Sequence, residues 1–196
     1  MGLGLIFYGM ATMGSAMSPL RTHEGFAELL QSLQNPVLGM LAGALFTALV
    51  QSSSATIGLS VVMATQGLLS LPAGIAILFG AKIGTGITAI LAAIGKPRDA
   101  KRAAAVHVLF NVLGAVIWLP FIAQLAGLAE TVSPVTAHLE GVDRLAEEVP
   151  RQIANAATIW ATANTLLFLP FAGVFATIAI KIIPDRPVEE KAIIRP

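Results

Sequence analysis

The chain has 196 residues, 56% hydrophobic and 12% charged, with a mean hydropathy of +0.80; soluble domains carry about 25% charged residues, so an ordinary soluble fold is excluded. A formal net charge of +1 and the lack of a basic stripe interleaved with aromatics speak against a nucleic-acid partner. With no cysteine, disulfides, thiol nucleophiles and cysteine-ligated zinc are excluded as well.

What remains is an all-α, multi-pass membrane protein whose first partner is the lipid bilayer. Residues 2–20 are apolar and uncharged, enough to cross a hydrocarbon core of about 30 Å. The apolar stretch starts at once, without a basic segment or a small-residue cleavage site, and reads as a membrane helix belonging to something longer rather than a signal peptide. Phe26, Leu29, Leu30 and Leu33 then follow at helical spacing among Arg21, His23, Glu24 and Glu28. That pattern fits an interfacial amphipathic helix ended by Asn35-Pro36, or equally a solvated loop.

From Pro36 to Ala81 there is no Asp, Glu, Lys, Arg or His. Inside this run lies Gln51-Ser52-Ser53-Ser54-Ala55-Thr56. Residues 37–66 as one helix would be roughly 45 Å long, and split at the serines they give two arms of roughly 20 Å, each too short to span. Two short arms meeting at a polar tip predict a re-entrant helical hairpin over about 37–66. Gly39 and Gly43 on the first arm permit close helix approach.

Gly67 closes the hairpin, and Ser70-Leu71-Pro72 opens a helix over about 71–95. Its middle, Gly80-Ala81-Lys82-Ile83-Gly84-Thr85-Gly86, holds three glycines and a lysine, and predicts an unwound break. Lys96-Pro97-Arg98-Asp99-Ala100-Lys101-Arg102 is the most basic loop and is placed in the cytoplasm by the positive-inside rule. A helix over 103–127, with Trp118 as an interfacial anchor, leads to an extracellular polar segment, 128–152. Residues 153–183 return through the membrane, and 184–196 form a charged cytoplasmic tail. Leu119-Pro120-Phe121 and Leu169-Pro170-Phe171 form an internal echo fifty residues apart.

The chemistry concentrates at the polar tip. If the second arm starts near Ser53 or Ser54, free backbone N–H groups, the positive helix end and several hydroxyls make an oxyanion site. Gln51 and the hydroxyls are also hard oxygen ligands for Na⁺. The competing reading is that the three serines bond back to i−4 carbonyls inside one helix. Thr85 and Thr88 are further hydroxyl ligands or ordinary packing threonines. Lys82, costly at mid-bilayer, pairs with a bound anion, takes the place of a mobile cation, or snorkels to an interface. His107 and Asn111, at i and i+4, line the cavity or hold helices together. HExxH, GxSxG and paired intramembrane aspartates are all missing, so the chain reads as a non-enzyme.

The QSSS cluster followed by Gly80-Ala81-Lys82-Ile83-Gly84-Thr85-Gly86-Ile87-Thr88-Ala89 resembles the type II sodium–phosphate cotransporter family. His107-Val108-Leu109-Phe110-Asn111 and the LPF segments extend the resemblance over nearly the whole chain. It implies two inverted repeats, each with a QSSS hairpin and a broken helix, of which this chain is similar to the second. It implies secondary active transport of inorganic phosphate across the plasma (inner) membrane by alternating access, with Na⁺ as coupling ion and no other cofactor or metal. Carried over, Gln51, Ser52, Ser53 and Ser54 bind substrate, and Gln51, Ser52, Thr85 and Thr88 bind sodium; Lys82 joins the substrate ligands by its charge, as the partner of a bound anion. Thr56, Gly84, His107 and Asn111 line the cavity. The partner would be a second QSSS repeat, in the same longer polypeptide, a separate chain or a homodimer, and a PhoU-like domain would follow Asp185. Lys82 stands where the family has Asn, and Gly86 where it has Thr. A fixed ammonium there repels Na⁺ or replaces it, so a non-transporting or degenerate paralogue is the alternative.

Overall fold

The computed structural model describes residues 2–17, 19, 23–136 and 138–185. The described residues form helices and turns only. Helix α1 (Gly2–Met17) precedes the short α2 (Glu24–Ser32), then α3 (Pro36–Val50), α4 (Ser53–Thr65) and α5 (Leu71–Ala93). Next come α6 (Arg98–Trp118), α7 (Ile122–Thr131), α8 (Gly141–Phe168) and α9 (Ala172–Ile182). The charged tail falls outside the described residues from 186 onward.

Three starts are set by local chemistry. The Asn35 side chain accepts from the amides of Val37 and Leu38, with Pro36 in the first turn of α3. Ser52 caps α4 and Ser70 caps α5 in the same manner, each accepting from the amide three residues on. Gly67 takes a left-handed φ of 68° behind α4, where its own N–H still reaches the Ala64 carbonyl.

Helix α5 is the axis of the fold. Half of its apolar window is buried inside the protein, against 22% and 11% for the long apolar stretches Arg98–Thr131 and Gly141–Ile182. All three are long and apolar enough to cross a membrane. Helices α3, α4, α6, α7 and α8 all pack on α5. Its core positions, Ile75, Leu78 and Phe79, are fully enclosed, and Phe79 meets Trp160 of α8 at 5.5 Å.

The expected break in α5 is not there: the helix runs unbroken from Leu71 to Ala93. The glycines instead form a seam. A Cβ on Gly80 would lie 1.9 Å from the Met40 carbonyl oxygen, and one on Gly84 would lie 2.5 Å from that of Ala44. Gly43 of α3 likewise faces the Ile77 carbonyl, and Gly39 faces Ala76. Contacts climb both helices together, so α3 and α5 run parallel with backbone on backbone. Missing Cβ atoms serve close packing here, and unwinding would strand amides with no water to take them. Gly86 faces Val108 of α6, where a Cβ would sit 3.1 Å from a methyl group.

Two further expectations change. The polar segment 128–152 is not one connecting stretch, because α7 reaches Thr131 and α8 starts at Gly141 with Pro150 inside it. Glu148 is buried there, taking hydrogen bonds from the Thr136 amide (2.6 Å) and from Arg144 one turn earlier (2.9 Å). Val149 and Ile153 on the adjoining face enter the core, which holds the polar first turns helical. Trp118 is also no outward anchor: it packs against the core beside Phe121, and its indole N–H is buried. Residues 24–32 are helical, with Leu30 and Leu33 in the core.

Gly80→Ala is expected to cost more than the 1–3 kcal/mol of ordinary overpacking, because its new methyl meets backbone. Gly58→Ala and Gly127→Ala, where nothing lies within 4 Å, serve as controls. Thermal unfolding in detergent should show a large loss for the first and none for the controls.

Candidate functional site

The hairpin turns at Gln51. This residue, with φ 58° and ψ 28°, is the one non-glycine with positive φ among the described residues. A left-handed side-chain-bearing residue is uncommon, and such strain concentrates at functional positions. Its amide still closes α3 on the Thr47 carbonyl at 2.6 Å. Ser52 turns extended, and α4 starts at Ser53.

Below the tip the arms are tied by one polar contact, Thr47 Oγ1 to Thr56 Oγ1 at 2.6 Å, fully buried. At the open end the Ser70 hydroxyl donates to Gln34 Oε1 at 2.8 Å. The hydroxyl pair beside the turn, with Leu33 and Ala42 sharing a cavity with Met63 further back, makes α3 and α4 antiparallel. Between them lies an apolar cavity of about 100 Å³ touching Phe46, Thr56, Leu59 and Met63. Thr56 therefore belongs to the inside of the hairpin.

The three serines do not bond back into a helix. Ser52 Oγ accepts from the Ala55 amide at 3.2 Å, and the Ser52 carbonyl receives both the amide and the hydroxyl of Thr56. The amides and hydroxyls of Ser53 and Ser54 have no partner among the described residues. Thr56 and Ser60 are the ones that donate to i−4 carbonyls. A helix start with its first N–H groups unpaired, ringed by hydroxyls and a carboxamide, has the chemistry of an anion cradle.

The seam decides which residues of α5 reach that cradle. Ala44 and Thr47 stand against Gly84, so one helical turn further Thr88 comes level with Gln51. The Thr88 hydroxyl is buried and has no hydrogen-bond partner, whereas Thr85 is satisfied by the Ala81 carbonyl at 2.9 Å. Gly84 itself is closed inside the seam against Ala44 and Thr47. Lys82 is half-buried, with no ion pair among the described residues. At about 100° per residue it projects from the side of α5 opposite Gly80 and Gly84, and lies roughly 9 Å along the axis before Thr88. The structure thus gathers Gln51, Ser52, Ser53 and Ser54 at the tip, with Thr88 at a similar level along α5 and Lys82 on another side of that helix. Asn111 is buried and donates to the His107 carbonyl at 2.9 Å within α6, while His107 is exposed. That pair is internally satisfied.

Sequence reasoning missed Asn164. It is completely enclosed, and both polar atoms of its carboxamide lack partners. It fills the space over Gly114, where a Cβ would come within 2.6 Å of the amide. The signal was there in outline: the two residues sit fifty apart, at the same place relative to the two LPF turns. Those turns are both short 3₁₀ segments with nearly equal flanking dihedrals.

A family profile described as Na⁺/Pi-cotransporter matches residues 5–146. The chain belongs to this family. It is 31% identical over 187 residues to "Uncharacterized protein YqeW" of Bacillus subtilis (strain 168), covering 95% of this chain and 57% of that protein. It is 28% identical over 187 residues to "Putative inorganic phosphate export protein YjbB" of Escherichia coli (strain K12), covering 95% of this chain and 32% of that one. Against "Sodium-dependent phosphate transport protein 2A" of Rattus norvegicus it is 39% identical over 111 residues, covering 54% of this chain and 17% of the relative. The chain therefore spans little more than half the length of the first relative and less of the others. No solved structure matches.

Replacing Thr56 with Val leaves the buried Thr47 hydroxyl without its short partner. A loss of about 1–3 kcal/mol is expected, read as a lowered unfolding midpoint. Thr85→Val, which removes only a local back-bond, should fall well below that.

Proposed function

We propose that this chain is one half of a phosphate transporter, working by alternating access, in which the hairpin tip grips inorganic phosphate. The observation that carries the reading is the open start of α4: unpaired Ser53 and Ser54 amides and hydroxyls, with the orphaned Thr88 hydroxyl level with them. Family membership supports phosphate as the anion, and the names of two relatives refer to phosphate transport or export. In this reading the Ser53 and Ser54 amides and hydroxyls donate to phosphate oxygens. The positive end of the α4 dipole adds to the attraction. Gln51 and Thr88 contribute oxygens on the other flank, where Na⁺ has ligands of the hardness it requires. A second QSSS repeat supplies the opposing half, and the membrane is the plasma membrane with residues 96–102 and the C-terminus on its cytoplasmic side.

Lys82 gives the sodium question its own answer. In this reading its ammonium, half-buried on α5 away from the tip, stands in for a mobile cation at its own position and leaves the Gln51–Thr88 flank to Na⁺. In this reading the bound state needs less sodium than the family pattern implies. The non-transporting alternative draws on the same Lys82 and on Gly86, whose site against Val108 leaves little room for a larger side chain.

The deciding measurement is phosphate flux in liposomes carrying the chain together with its partner half. Ser53→Ala and Thr88→Val should each lower flux at least tenfold, while Thr12→Val, far from the tip, leaves it unchanged. No flux from a folded, paired protein, with or without a sodium gradient, would establish the non-transporting reading. In the same vesicles Lys82→Asn should raise the dependence of flux on sodium. An unchanged sodium response removes the charge-replacement role.

A further inference from the structure

At the C-terminal end of α5, its last turns, the start of α6 and the end of α9 enclose a groove of about 500 Å³. Its walls are apolar, with Ile90 and Ile94 from α5, Ala105 and Leu109 from α6, and Ile182 from α9. One charged side chain lines it, Lys101. Ile90, Ile94 and Ile182 are each about half or more exposed, so the groove opens sideways through an apolar surface. Directly above, the Gly95–Arg102 stretch carries the densest positive charge of the chain. The groove thus straddles the step from apolar flank to basic cap that marks a bilayer boundary.

The charges around it are divided into two sets. Arg98 donates to the Pro184 carbonyl, and Arg102 donates to the Ile183 carbonyl and pairs with Asp99 (3.1 Å) and Asp185 (2.7 Å). These contacts staple the end of α9 to the start of α6 and use up both carboxylates. Lys96, Lys101 and Lys181 make no ion pair among the described residues. Among the described residues a positive surplus therefore sits at the mouth of an apolar slot.

We infer that this groove is a binding site for an anionic phospholipid. Its acyl chain lies along Ile90, Ile94 and Leu109, and its headgroup phosphate is held by Lys101 and Lys96. Basic residues beside apolar grooves between membrane helices suit this class of ligand. A free phosphate ion would gain nothing from the apolar walls, and a zwitterionic lipid would leave the ammonium groups uncompensated. The inference is independent of what the hairpin tip binds.

The test is native mass spectrometry of the full chain released from mixed micelles with equal phosphatidylglycerol and phosphatidylcholine. Wild type should retain phosphatidylglycerol in at least fivefold excess. The double variant K96Q/K101Q should lose that excess, and Ala105→Trp, which fills the slot, should lose retained lipid of both kinds. Millimolar inorganic phosphate should displace nothing. Equal retention of the two lipids by wild type, unchanged preference in K96Q/K101Q, or displacement by inorganic phosphate would each overturn the assignment. The charge variant alters exposed side chains only, so its result stands even where Ala105→Trp fails to fold.

Discussion

The contact on which the rest depends is the one between two backbones, α3 against α5 through Gly39, Gly43, Gly80 and Gly84. In lipid, helices gain little from burying apolar side chains against each other, since the solvent is itself apolar. What holds them is the density of atomic contact, and four missing Cβ atoms let two helix axes come as close as they can. The contact sets direction and register together. Because α3 is locked parallel to α5, α4 must return antiparallel, and the level at which Gln51 stands along α5 is no longer free. That level is Thr88. The polar tip is thus placed by a seam containing no polar side chain apart from Thr47.

The arms of the hairpin are held unequally. Helix α3 is welded to α5. Helix α4 is tied to α3 by the Thr47–Thr56 hydroxyl pair across an incompletely filled apolar space, and packs on α5, α8 and α1. Both arms rest on α5, α3 by the closer contact, and the left-handed backbone of Gln51 is where the two arms join.

Much of this was legible in the sequence, and the failures are instructive. The uncharged run, the arm lengths and the Asn-Pro, Ser and Ser-x-Pro starts predicted α3, α4 and α5 to within a few residues, because capping and span length are local or nearly local physics. The glycines of α5 were misread because glycine does two opposite things. It weakens an isolated helix and it permits the closest packing of paired ones, and only the partner decides between them. That partner, Gly39-x-x-x-Gly43, was visible but too common a pattern to carry weight alone. The same ambiguity affected the hydroxyls: Thr85 and Thr88 are alike in the sequence, yet one is satisfied by its own helix and the other is not. Lys82 was read with the tip as a partner for a bound anion, whereas helical rotation puts it on another side of α5.

The fifty-residue echo shows how complementarity can hide inside repetition. Two helices each end in an LPF turn with matching dihedrals, and they meet antiparallel, Phe110 against Phe168 and Gly114 against Asn164. Related positions thus face each other across the contact. One has given up its side chain entirely, and the other fills the vacated space with a carboxamide. Two asparagines would not fit there, and two glycines would leave a void of the kind that costs packing energy in any interior. A near-symmetric frame therefore requires asymmetric residues at its crossing point. Sequence comparison sees that as divergence, whereas packing requires it as a pair.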